Sequence, residues 1–249
     1  WWAYFDVVAL VAERRLTKFF ARGNHLIACV GNIGVGKSSL VKFLTCATGM
    51  NALFELPDPG FEDHIGGNDS VAPLLATGKE TVKRTLAGYY AAINEFITCQ
   101  AVHPRGSAEW MLAKRNLERG ALDIQHAYLD LRRMQLQAVP YLNCSTCVDG
   151  SPFADRYAFC EVLHRDMDVP YLTEEALAVI DNRLEHEFRP LVPPSLLIVV
   201  HGPLESLVEN IRERQRSEEQ REGGASEDLP EGLMRLVRAL QPRYASFVD

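Results

Sequence analysis

The stretch Gly31-Asn32-Ile33-Gly34-Val35-Gly36-Lys37-Ser38 lies between the strand-like HLIACV of residues 25–30 and a helix-like SSLVKFL of residues 38–44. Its spacing fits GxxxxGK[ST], the strand–loop–helix turn whose main chain cradles phosphate. Gly31, Gly34 and Gly36 let the backbone curl so that successive N–H groups point inward, where side chains would obstruct an anion. Lys37 adds a mobile positive charge. The helix that follows, opening with Ser38 and Ser39, turns its N-terminal dipole on the same anion, and the Ser38 hydroxyl is placed for the magnesium that accompanies a nucleoside triphosphate. Gly31, Asn32, Gly34, Gly36, Lys37, Ser38 and Ser39 therefore form the expected phosphate-binding set, with ATP or another nucleotide and Mg2+ as the expected ligands.

Outward from this loop, strand-like runs at 26–30, 52–56, 139–148 and 196–200 alternate with helical segments, which predicts an α/β fold with a parallel sheet covered by helices, of the P-loop NTPase type. Helical stretches are expected near 79–98, 108–137, 153–166, 173–189, 203–222 and 229–247. Residues 57–107 begin rich in Gly, Pro and Asp and read as an excursion above the sheet. Ahead of the core, Trp2, Phe5, Val8, Ala12, Leu16 and Phe19 recur at three-to-four spacing, with Arg14, Arg15, Lys18 and Arg22 at the far end. This predicts an N-terminal amphipathic helix, so the expected organisation is a helical extension over 1–24 and one domain over 25–249. Trp1 in place of a methionine suits a processed mature form or a trimmed piece, with a removed targeting peptide as one origin.

With 249 residues and 47% apolar content, the chain can build one ordinary core. No stretch is long and apolar enough to cross a membrane. The balance of 26 basic against 33 acidic residues, a net charge of −7, argues against nucleic acid as a partner and makes any phosphate affinity local. Six cysteines without the density of a small secreted domain suit a reducing compartment. Cys144 and Cys147 form a lone CxxC inside an expected strand, where the two thiols would face opposite ways.

Four groups could carry chemistry beyond the loop. Asp58, just past the second strand, is either a base at the carboxyl edge of the sheet or a turn aspartate between Pro57 and Pro59. Asp149 and Ser151, past the third strand, are either site residues, Asp149 then beside the magnesium, or an N-cap pair. Arg212, Arg214 and Arg216 either close over transferring phosphates or line a solvated helix face. Gln125 and Arg132 share one face of the long helix, where they could read the polar edge of a base.

In order and spacing these segments resemble the deoxynucleoside kinase family across roughly 25–247. GNIGVGKSS resembles its phosphate loop, LPDPG its Glu-Pro segment, SPFADRYAF the stretch after its third strand and RQRSEEQ its arginine lid. The resemblance implies that Gln125 contacts a nucleobase, that Arg132 and Asp155 help select it, that Asp58 takes the proton of a nucleoside 5′-hydroxyl, and that Arg212, Arg214 and Arg216 form the lid of an active deoxynucleoside kinase. One departure cuts against activity. Where the family has Glu-Arg-Ser or Asp-Arg-Ser, this chain has Asp149-Gly150-Ser151, so an arginine that neutralises phosphate charge is gone, and no fifth strand follows residue 200. Asn210 also replaces a basic lid position.

A second resemblance is to the accessory-subunit branch of this fold found in mitochondrial respiratory complex I, carried by RRLTKFFARGNHLIACVGNIG, by TGM before the second strand and by VPPSLLIVV. It implies a nucleotide-binding, non-catalytic subunit of an NADH:ubiquinone oxidoreductase. Such a subunit would be peripheral to the inner membrane on its matrix side, with other complex I subunits as partners.

Overall fold

The computed structural model describes residues 23–56, 61–66, 71–214 and 229–246. The expected N-terminal helix, Asp58 and Arg216 lie outside the described residues, as does the Arg214 side chain.

Four strands form one all-parallel sheet in the order β2-β3-β1-β4: β1 Leu26–Gly31, β2 Asn51–Leu53, β3 Thr146–Asp149 and β4 Leu196–Val200. The register pairs Cys29 with Asp149, Leu53 with Val148 and Gly31 with Val200, so the carboxyl ends of the strands come level along one edge. Every residue of β1, β2 and β3 is buried, as strands covered on both faces must be.

The helices are α1 Lys37–Thr48, α2 Ala72–Val102, α3 Ala108–Ala138, α4 from Pro152 to Asp166, α5 from Glu174 to Phe188, α6 Leu204–Arg214 and α7 Glu231–Ala245. Local chemistry sets several ends. Gly49, with φ of 71°, closes α1 by donating its N–H to Thr45 O. Ser107 caps α3 by accepting from the Trp110 N–H, and Thr173 caps α5 from the Ala176 N–H. Most of α4 is π-wound, over Asp155–Cys160 and Val162–Asp166. Among the described residues no helix is long and apolar enough to cross a membrane.

Three elements differ from the sequence expectation. Residues 139–148 are not one strand: Val139–Tyr141 make a 3-10 turn and β3 starts at Thr146. β3 is central, and Pro140 has no N–H to give a central ladder. β2 stops at Leu53 because the Phe54 N–H bonds the Asp63 side chain at 2.8 Å instead of a neighbouring strand. The helical stretch expected near 79–98 extends in both directions to a 31-residue helix, α2, packed against α3. Its start is held by the buried Lys79, which reaches back to the same Asp63 at 2.6 Å.

The main core fills the space between the sheet and α2, α3, α4 and α7, with Leu75, Phe96, Leu117, Ile124 and Leu131 among its most buried members. A smaller cluster around Ile27, Val41, Ala52 and Phe54 packs α1 on the other face. α7 lies so close to α2 that a Cβ on Gly232 would stand 2.2 Å from Ile93 Cγ2.

Candidate functional site

The phosphate loop joins β1 to α1 and is held from two sides. A Cβ on Gly31 would stand 2.5 Å from the Val200 carbonyl oxygen of β4, so only glycine lets the loop pass there. Gly34 adopts φ of 77°, and a Cβ on it would stand 2.5 Å from Leu207 O and 2.7 Å from Ile211 Cγ1 of α6. Asn210 of α6 donates to Gly34 O at 2.7 Å, so the residue standing at a basic lid position anchors α6 to the loop. Asn32, 2% exposed, turns its side chain away from the loop's mouth. Its Oδ1 accepts from the Ile33 N–H, and its Nδ2 donates to Val237 O at 2.9 Å and Gln241 Oε1 at 3.0 Å on α7. Lys37 Nζ donates to the loop's own carbonyls, Gly31 O at 3.1 Å and Asn32 O at 3.0 Å. Ser39 is exposed on the first turn of α1.

Opposite the loop, β3 delivers Asp149. Its Oδ2 accepts from the Ser38 hydroxyl at 2.5 Å, while its Oδ1 is buried with no hydrogen-bond partner among the described residues. Burial pushes the Asp149 carboxyl up. Lys37 pulls it back, Glu55 adds to the rise, and the Ser38 hydrogen bond and Arg132 oppose it. An orphaned carboxylate oxygen beside a hydroxyl is a hard-oxygen pair of the kind Mg2+ takes, together with water and substrate phosphates, so Ser38 and Asp149 fit the ion. Ser151 is an N-cap, accepting from the Phe153 N–H at 3.3 Å.

A cleft of about 820 Å3, open mouth included, runs from this loop between α3, α4 and α7. Gln125 and Arg132 of α3, Asp155 of α4, Glu55 past β2 and Tyr244 of α7 all line it with Lys37, Ser38 and Asp149. The sequence candidates Gln125, Arg132 and Asp155 are thus brought together.

Arg132 is the hub of the cleft. Only 2% exposed, it donates from Nη2 to Glu55 at 2.6 Å, from Nε to Asp155 at 3.1 Å, and from Nη1 to the Asp149 carbonyl at 2.6 Å and to Gln135 at 3.3 Å. Burial alone would pull its pKa down, but Asp155 and Glu55 outweigh that and hold it above the ordinary value. Asp155 is pushed up by burial against the pull of Arg132. The guanidinium lies across Gly150. With φ of 104°, a Cβ there would stand 2.0 Å from Arg132 Nη2. The glycine that replaces the family's arginine thus makes room for a different arginine. Arg156, next to Asp155 on α4, is not available for that role, because Asp181 holds it at 2.5 and 2.9 Å and Glu161 at 2.7 Å.

Glu55 is the carboxylate that sequence reasoning passed over in favour of Asp58. Its signal was its place just beyond a strand's carboxyl end. Of the lid arginines, Arg212 is exposed on α6. Cys147 lies against Cys29, with sulfurs 3.6 Å apart across β1 and β3, whereas the Cys144 thiol points to Gly49 O at 3.8 Å.

A family model described as deoxynucleoside kinase matches residues 70–228, well over half of the chain. That span begins after the phosphate loop, which stands on its own geometry. Two solved structures of deoxyadenosine kinase from M. mycoides share the fold. One holds the products dCMP and a flexible dCDP; it is 15% identical, with a TM-score of 0.52, over 89% of this chain and 82% of that one. The other holds dATP; it is 16% identical, with a TM-score of 0.52, over 90% and 84%. Comparison with curated protein sequences gives no match.

Proposed function

This chain belongs to the deoxynucleoside kinase family, and from that premise we propose that it holds a nucleotide on the phosphate loop and a nucleoside in the adjoining cleft while transferring phosphoryl groups slowly or not at all. We propose further that it serves as a peripheral accessory subunit of mitochondrial complex I, on the matrix side of the inner membrane. The observation that carries the first part is the state of Arg132. Phosphoryl transfer needs a cation free to meet the charge that develops on the phosphate oxygens. Here position 150 offers none, and the guanidinium packed in its place gives its donors to Glu55, Asp155, Gln135 and the Asp149 carbonyl. It cannot turn to a phosphate without deserting buried acceptors. Losing such a group lowers rates by about 10²–10⁵. The complex I part is supported by the similarity of the segment before β1 and of VPPSLLIVV before and within β4.

Mg2+, when bound at Ser38 and Asp149, would screen the phosphates' charge. Lys37 would leave its loop carbonyls for a phosphate oxygen, and Gln125 would meet the base. Glu55, which lines the cleft, is a carboxylate able to take a hydroxyl proton, the role the resemblance gives to Asp58.

Blue-native electrophoresis of a mild detergent extract, stained in-gel for NADH oxidation, tests the assembly. Co-migration of the chain with that activity is expected, and migration as a free monomer or dimer refutes it. A second reading, an active deoxynucleoside kinase in the mitochondrial matrix or the cytosol, is favoured by the orphaned Asp149 oxygen beside Ser38 and by Glu55 in the cleft. Turnover with ATP and deoxynucleosides in the ordinary range of about 1–100 s⁻¹ would establish it over the first.

A further inference from the structure

Gln125 is 2% exposed, yet its side chain lines the cleft. The two ends of its amide stand in different situations. Oε1 accepts the thiol hydrogen of Cys160, 3.3 Å away on α4, while Nε2 is buried and meets no acceptor among the described residues. A buried N–H left without a partner is costly, so a native fold keeps one where something else supplies the acceptor. Gln125 lines the cleft together with Arg132, Asp155 and Tyr128, so the acceptor that suits this position is a ligand atom.

The thiol decides which end of the amide faces the ligand. Burial, then the nearby Asp155, pushes the Cys160 thiol well above the ordinary cysteine range, so the sulfur keeps its hydrogen and acts as a donor. If the amide were reversed, Nε2 would face a sulfur that accepts only weakly, and the thiol hydrogen would lose its oxygen. Cys160 is itself held in place. It is 1% exposed in the main core and closes the π-wound turn that begins at Asp155, the residue bonded to Arg132. One turn of α4 therefore holds both Gln125 and Arg132 of α3.

We infer that Cys160 is a positioning residue that fixes the Gln125 amide with Nε2 toward the cleft, so that the site prefers nucleobases presenting an acceptor, a ring nitrogen or carbonyl oxygen, at that point. The inference rests on the nucleoside reading of the cleft. Oε1 keeps one lone pair beside the thiol bond, so an amino group next to that acceptor is tolerated but does not replace it.

The test is calorimetric binding of 2′-deoxyadenosine, 2′-deoxycytidine and their 1-deaza and 3-deaza analogues, in which C–H replaces the ring nitrogen, to the wild-type chain, C160A and C160S. In the wild type the deaza analogue of the preferred nucleoside binds about tenfold or more weaker, the equivalent of one hydrogen bond left unmade. In C160A the amide is free to turn, and the ratio shrinks to about twofold or less. C160S, whose hydroxyl still donates, keeps the wild-type ratio. If C160A does not fold, C160V fills the volume without a donor and should behave as C160A. An equal ratio in wild type and C160A or C160V, or a C160S that behaves like C160A, overturns the role of the thiol while leaving the nucleoside site standing. A wild-type chain that binds none of the four overturns both.

Discussion

Alanine at position 150 should be among the most damaging single-methyl changes in this chain. The added Cβ would stand 2.0 Å from Nη2 and 2.4 Å from Cζ of Arg132, closer than real contacts allow. A flexible side-chain end could ordinarily step aside. This one is buried and tied to Glu55, Asp155 and the Asp149 carbonyl. Two costs add. A non-glycine residue in the left-handed region costs about 1 kcal/mol. Breaking a buried ion pair costs about 3–5 kcal/mol, taken at its lower end because water reaches part of each carboxylate once Arg132 leaves. Glu55 and Asp155 are 22% and 19% exposed. The sum is roughly 4 kcal/mol, and with a urea slope of about 3 kcal/mol/M it moves the unfolding midpoint down by about 1.3 M. Equilibrium urea unfolding followed by fluorescence and circular dichroism measures it. The control is G150A in an R132M background, where no guanidinium remains to be displaced and only the backbone cost of about 1 kcal/mol should persist. A loss below about 1 kcal/mol in the wild-type background, or equal losses in both backgrounds, would refute the steric reasoning.

Restoring an arginine at position 150 should not raise kinase turnover while Arg132 stays, because the space is filled; a steady-state assay in which G150R gains about tenfold or more would contradict this. N32A removes the two donations to α7 and should cost about 1–3 kcal/mol, with faster hydrogen exchange in α7 than in α3; equal exchange in both would count against the clamp. Arg243 holds the Asp166 carboxyl below the usual carboxylate range by a hydrogen bond at 2.6 Å. Because the folded-state value is depressed, this pair's stabilisation is present above the ordinary aspartate pKa and is lost as pH falls through the lowered one. Both partners are about one-third exposed, so the effect is at most about 1 kcal/mol after solvent screening; R243A should flatten the acid limb of stability against pH, and an unchanged limb would rule the pair out.

The phosphate loop was legible because its determinants are consecutive, and β1 and β4 because they are unbroken apolar runs bounded by loop residues. What stayed hidden was set at a distance. Nothing local says that β2 ends at Leu53; Asp63, nine residues on, takes the next N–H. Glu55 stands just past a strand's carboxyl end, but its tie to Arg132, 77 positions away, comes only with the fold. Gly150 could be read as a missing arginine, but not as the floor on which another arginine rests, since that contact comes from α3. The Gly, Pro and Asp content after residue 56 hid only the start of the helix expected near 79–98, which begins at Ala72 without a capping side chain. Gln125 and Arg132 were paired by their shared helix face, Asp155 joined them by a resemblance of segment order, and the cleft brings the three together.

The bond from Asn32 to Val237 spans 205 positions, and the companion bond to Gln241 spans 209. During synthesis the loop leaves the ribosome while the helix that steadies it has not yet been translated. The anion-binding turn is therefore finished only once α7 has been made, and its upkeep is entrusted to a helix 205 positions downstream. A premature stop before residue 231 would yield a product that still carries GNIGVGKS, and would still be picked out by that string, without the part that holds the loop in shape.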